Sequence, residues 1–188
     1  MQTNSTLFIG IVILLVLGGV FLVMRDRGEK PQSSASDFDT FASISLMGYQ
    51  GNNVSLSEFR GKPLVINSWA VWCPFCREEL PDFAELQKEF GDDITVIAID
   101  RQEPLDKARG YTDELGISND MLFLLDSSDS FYKSIGGFSM PETIFVNSAG
   151  DIVIHKRGPM ELEEMREHVN KIISRQGSRQ VETNETSL

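Results

Sequence analysis

The chain contains two cysteines, Cys73 and Cys76, and they stand where a short apolar run gives way to an amphipathic one. Leu64 to Ala70 (LVINSWA) has the length and composition of a buried strand. From about Pro74 to Phe90, Leu80, Phe83, Ala84 and Phe90 share one face at helical spacing. The junction therefore puts Cys73 at a helix N-terminus, where unpaired backbone N–H groups and the positive dipole end stabilise a thiolate. Pro74 suits the first turn, because the N–H it lacks would have no partner there. Two intervening residues carry Cys76 around one turn, so its sulfur reaches that of Cys73. A thiolate so placed attacks a substrate disulfide, and the second thiol resolves the mixed disulfide.

Two plainer explanations compete. A structural zinc site needs four ligands, and the two histidines, His155 and His168, lie too far apart in sequence for the usual paired arrangement. An inert disulfide between these positions would close a very small loop and gain little chain entropy. Stapling is also unnecessary, since 188 residues with 41% hydrophobic content can build one core of ordinary size. A net charge of −11 argues against nucleic acid as a partner and would repel an anionic lipid surface.

The rest of the central region alternates strand and helix. Ile94 to Asp100 and Met121 to Asp126 are further buried-strand runs, and Thr143 to Asn147 and Ile152 to Lys156 flank a hairpin turn at Ser148-Ala149-Gly150-Asp151. Ala42 to Gln50 and Val54 to Phe59 are expected to form a smaller hairpin around Gly51-Asn52-Asn53. A second helix is expected within Pro104 to Leu115, stopped by Gly116. A third is expected from Met160 to Ser174, with Leu162, Met165, Val169 and Ile172 on one face. Acidic residues open that last helix and Lys171 and Arg175 close it, matching the dipole. The pattern predicts an α/β fold, a mixed central β-sheet flanked by helices.

Leu7 to Met24 contains no charged or strongly polar side chain over 18 residues. As a helix it spans about 27 Å, close to the roughly 30 Å hydrocarbon core of a bilayer. It lacks a basic n-region and a following small-residue cleavage site, so a transmembrane signal anchor is expected rather than a cleaved signal. The expected organisation is then a short N-terminal tail (1–6), the anchor (7–24), a polar linker (25–39), the α/β domain (40–176) and a disordered tail (177–188). Arg25, Arg27 and Lys30 follow the span, and the positive-inside rule alone would place the domain in the cytoplasm.

Ser68-Trp69-Ala70-Val71-Trp72-Cys73 resembles the strand-to-active-site segment of the thioredoxin superfamily. The longer string from Cys73 through Glu79 and Leu80 to Pro81 resembles the TlpA/ResA-like branch, and Ser139-Met140-Pro141-Glu142-Thr143 supports it. The match runs from about Thr40 to Ser174, and the stretch from Pro104 through the following strand resembles that branch's insertion. The resemblance implies a thioredoxin-like fold and a membrane-anchored thiol–disulfide oxidoreductase acting on protein disulfides, without a cofactor. It implies an extracytoplasmic domain, where reductants serving cytochrome c maturation or disulfide repair operate, against the basic flank. The upstream electron donor is left open.

It also implies roles for single residues. Pro141 would be cis and face the cysteine pair, and the backbone of Met140 would pair with an extended substrate. Thioredoxins carry a buried Asp six residues before the first cysteine, whereas this chain has Asn67. Glu79, three residues after Cys76 and on its side of the helix, is the expected substitute proton handler. Pro81 is expected to bend the helix nearby. Trp72 is expected to shape the docking surface, and Trp69 to pack in the core. His155 and His168 are expected to be structural, and Met121, Met140 and Met165 form no copper-binding cluster. Pro74-Phe75 matches neither the Gly-Pro of thioredoxin nor the Pro-His of DsbA, systems spanning roughly −270 to −120 mV, which leaves the direction of electron flow open. A peroxide reductase on the same fold and a non-catalytic binding or assembly module are the alternatives.

Overall fold

The computed structural model of the protein describes residues 37–185, with side chains described as far as residue 174. The apolar run at 7–24, the adjoining tail at 1–6 and linker residues 25–36 lie outside the described residues. Among the described residues no helix is long and apolar enough to cross a membrane.

Seven strands form one sheet in the order β2-β1-β5-β4-β3-β6-β7. They are β1 (Ser45–Gly48), β2 (Asn53–Ser55), β3 (Leu64–Trp69), β4 (Thr95–Arg101), β5 (Leu122–Asp126), β6 (Glu142–Val146) and β7 (Ile152–Arg157). The inner strands β3, β4 and β5 run parallel, and β1, β2, β6 and β7 join antiparallel, so the sheet is mixed as expected. Every residue of β3 is buried, which accounts for its nearly unbroken apolar run. The strand period of two divides it between two cores. Leu64 and Ile66 face a cluster with Ile97, Ile99, Leu124, Phe131 and Ile144. Val65 and Trp69 face the opposite side, and Asn67 shares their parity.

Helices cover that opposite side. Helix α1 (Pro74–Phe90) buries Leu80, Phe83 and Leu86, and α4 (Leu162–Glu185) packs Met165, Val169 and Ile172 beside them. Helix α2 (Leu105–Glu114) covers the neighbouring patch around Trp69, Ala98 and Phe123 through Ala108. The short α3 (Ser130–Ser134) lies against the other face through Phe131.

The departures from expectation have local causes. The first hairpin is shorter than predicted, and Leu56–Phe59 winds into a 3₁₀ turn instead of extending β2. The Glu58 carboxylate accepts the Ser55 N–H at 2.8 Å and curls the chain there. Helix α3 escapes sequence reading because a single turn shows no periodicity; the Asp126 carboxylate nucleates it by accepting the Ser130 and Phe131 N–H groups at 2.9 and 2.8 Å. Helix α4 continues to Glu185, so most of the segment expected as a disordered tail is helical. That stretch lacks the apolar stripe that signals packing, but it also lacks the proline that would stop a helix.

Candidate active site

The active-site turn follows from the end of β3. The Cys73 N–H donates to the Ala70 carbonyl at 3.0 Å, closing a tight turn between the strand and α1. Cys73 then caps α1 in an extended conformation with Pro74 in the first turn, as the sequence predicts. The Cys76 N–H donates to Cys73 Sγ at 3.2 Å. Cys73 and Cys76 are joined as a disulfide with Cα atoms 5.3 Å apart, and both residues are buried. In the dithiol state the same N–H group and the helix N-terminus favour a thiolate on Cys73.

The Met140–Pro141 peptide bond is cis. Met140 is half-buried and packs against the cluster that includes both cysteines. A fully buried carboxylate holds the loop before it: Glu142 Oε2 accepts the Phe138 and Ser139 N–H groups at 3.0 and 3.1 Å. On the other oxygen, Oε1, Glu142 meets His155 Nε2 at 2.6 Å and Arg157 Nε at 3.1 Å. Arg157 also lies over the Phe138 ring, 4.6 Å from its centroid. His155 thus has a structural partner, and His168 packs edge-on to Phe145 with its pKa lowered by burial.

Glu79 is buried on α1 and tied from two directions. Asn67 Nδ2 donates to Glu79 Oε1 at 2.8 Å, and the Met160 N–H donates to Oε2 at 3.2 Å. Asn67 Nδ2 also reaches Thr143 Oγ1 at 2.9 Å, two residues beyond Pro141. Burial pushes the Glu79 carboxyl up to about 8, more than these two donors and Lys156 pull it down. Burial thus holds the Glu79 proton into the range where an ordinary thiol titrates. Pro81 falls within α1, and the helix continues past it to Phe90.

Exposed apolar side chains flank the buried cysteines in sequence and precede the cis proline. Trp72 is 60% exposed, Phe75 50% and Phe138 76%. Trp69 is fully buried instead, stacked on Tyr111 with ring centroids 5.6 Å apart. The structure thus gathers Cys73, Cys76 and Met140 into one cluster, buries Glu79 on α1 and links it through Asn67 to Thr143 beyond the cis proline, and leaves Trp72 on the surface. Sequence reasoning missed three things. Asn67 is not merely a missing acid but the tether of the replacement. Phe138, three residues before the cis proline, is strongly exposed; its place in a Gly-Gly-Phe loop was the available signal. Glu142, read only as part of a motif, anchors that loop.

Comparison with known proteins agrees with this geometry. The Redoxin family profile matches residues 32–173. Thiol-disulfide oxidoreductase ResA of Halalkalibacterium halodurans is 30% identical, over 65% of this chain and 70% of that protein. Thiol:disulfide interchange protein DsbE of Vibrio cholerae is 29% identical, over 80% of this chain and 84% of that protein. Among solved structures, the pneumococcal exposed lipoprotein thioredoxin Etrx1 of Streptococcus pneumoniae is 28% identical, covers 68% of this chain and 98% of its own, and superposes with a TM-score of 0.59.

Proposed function

Since the chain belongs to the redoxin family, as a ResA-like thiol–disulfide oxidoreductase with the thioredoxin fold, we propose that Cys73 is its attacking thiolate, Cys76 its resolving thiol and Glu79 the carrier of the Cys76 proton. The observation that carries the assignment is the position of Cys73 as the cap of α1, with the Cys76 N–H on its sulfur and the cis Met140–Pro141 segment packed nearby.

In the reducing direction the Cys73 thiolate attacks one sulfur of a protein disulfide. A mixed disulfide forms, and the other substrate sulfur leaves as a thiolate. Cys76 loses its proton to the ionised fraction of Glu79, which grows as pH approaches 8, and attacks Cys73 Sγ, which closes the Cys73–Cys76 bond and releases the second substrate thiolate. Two electrons pass to the substrate, and a dithiol donor must return them to the pair. In that return step Cys76 leaves as a thiolate and Glu79, protonated below about pH 8, supplies its proton. Trp72 and the backbone of Met140 dock the substrate as an extended strand beside the disulfide.

The reading extends to the cell surface. Residues 7–24 anchor the domain in a membrane, and the domain works on the extracytoplasmic face, where disulfide substrates occur. The apolar run in the sequence supports the anchor, and the ResA-like branch supports the side. Insulin reduction by the dithiol protein tests the chemistry: wild type is active, whereas Cys73→Ser and Cys76→Ser are not, and full activity in both variants would end the exchange reading. A membrane-impermeant maleimide tests the side in intact cells. It should modify the reduced cysteines without permeabilisation, and modification only after permeabilisation places the domain inside.

A further inference from the structure

Beneath the active-site turn lies a pair of carboxyls that the exchange steps above do not use. Asp100 stands near the end of β4, opposite Trp69 of β3, and is fully buried. The chain then turns at Gln102, whose φ of 62° lies in the left-handed region that non-glycine residues seldom occupy. This turn brings Glu103 back, and its N–H donates to Asp100 Oδ1 at 3.1 Å. The Glu103 carboxylate is engaged on both oxygens: Oε2 accepts the Val71 N–H at 2.6 Å, and Oε1 pairs with Lys107 Nζ. Asp100 Oδ2 has no hydrogen-bond donor, and the Asp100 carboxyl interacts with the Glu103 side chain. Two buried carboxyls in contact form a stable pair when one proton lies between them, because only then does one of them donate.

We propose that Asp100 and Glu103 share a single proton and act through Val71 as a positioning pair for the active-site turn, setting how readily Cys73 ionises. The proposal rests on the exchange reading. Val71 is two residues before Cys73, within the turn that makes Cys73 the helix cap. With the proton in place, the pair and Lys107 are together neutral. Once it leaves, one uncompensated negative charge remains beside the turn, and a neighbouring anion disfavours the Cys73 thiolate.

The geometry puts that change in the range where thiols titrate. Burial, reinforced by Glu103, pushes Asp100 up to about 8. Glu103 is opposed by its own burial but is held below the usual range by Lys107, the Val71 N–H and Asp100. Of the other titratable groups, Tyr49 after β1 faces Asp100, with Arg109 and Asp113 of α2 beyond it, and Tyr111 of α2 faces Glu103, with Arg77 of α1 and Glu114 beyond it; Lys107 pairs with Glu103. Burial raises the Tyr49 phenol, so it stays neutral throughout.

The test is the pH dependence of Cys73 alkylation by iodoacetamide, from pH 5 to 10 in the reduced protein carrying Cys76→Ser. Asp100→Asn and Glu103→Gln should each abolish an alkaline component of the profile, leaving a simpler curve that rises at lower pH. Glu103→Gln keeps a carbonyl for the Val71 N–H, so its rate below pH 7 should match the parent. Glu103→Ala removes the acceptor and should slow alkylation at every pH. Lys107→Met changes a half-exposed side chain, a safe substitution for folding, and should move the alkaline component upward by about a few tenths of a pH unit. Superimposable profiles for the parent, Asp100→Asn and Lys107→Met would overturn the pair's role while leaving exchange intact. A parent Cys73 that shows no thiolate reactivity at any pH would overturn both.

Discussion

Glu79 keeps its proton to about pH 8 because burial outweighs the Asn67 and Met160 donors that favour its anion. In the unfolded chain the same group ionises near 4.5, so between these values the folded state binds the extra proton. A raised carboxyl contributes stability that is complete below the unfolded value and lost as pH rises through the folded one. The denaturation midpoint of the oxidised protein should therefore fall between pH 5 and 8, by a change on the order of several kcal/mol in unfolding free energy. Asp100 is raised in the same way and adds to that slope. Glu79→Gln should flatten it, and an unchanged slope would show that Glu79 does not hold the proton. The same variant should slow release of substrate from the mixed disulfide by roughly a hundredfold while leaving the first attack by Cys73 nearly unchanged, as rapid-quench measurement would show. A residue with a purely structural role would depress both steps alike. That Glu79 lies on the buried side of α1 with Cys76 is legible in the sequence from its spacing to that cysteine. Its tether is not, because Asn67 and Glu79 meet only when β3 and α1 pack.

At the scale of elements, α1 is the part that converts fold into chemistry, since its first turn holds the disulfide and its second holds Glu79. Its position depends on Phe83 and Leu86, which pack with Phe145 of β6 and with Met165 and Val169 of α4. Phe83→Ala should cost about 3–5 kcal/mol in chemical denaturation. A loss far below that range would mean the contact between α1, α4 and the sheet is not what seats the helix. The parallel inner strands and both long helices can be read from apolar runs and helical spacing, and the observed limits of α1 coincide with those expected. Short elements held by single side chains cannot. Helix α3 depends on Asp126, and the 3₁₀ turn after β2 on Glu58; neither leaves a periodic signal. The loop before the cis proline belongs with these, because its anchor, Glu142, takes its partners from β7 across the sheet.

For the whole molecule, the two cores of a mixed sheet support a site at one end of the parallel strands, with a buried disulfide flanked in sequence by the exposed Trp72 and Phe75. Such a surface suits a partner that is a protein segment rather than a small oxidant, because its exposed area is apolar and aromatic. The proposed anchor would keep this surface close to a membrane and limit which partners it meets. The asymmetry between the two thiols is the centre of the account and can be measured directly. Each single-serine variant, in reduced form, is mixed with a disulfide-containing protein substrate, and the covalent adduct is resolved without reductant. Cys76→Ser should accumulate a mixed disulfide that a small dithiol releases, and Cys73→Ser should accumulate little. Equal trapping by both variants, or a stronger adduct from Cys73→Ser, would contradict the assignment of Cys73 as the attacking thiolate.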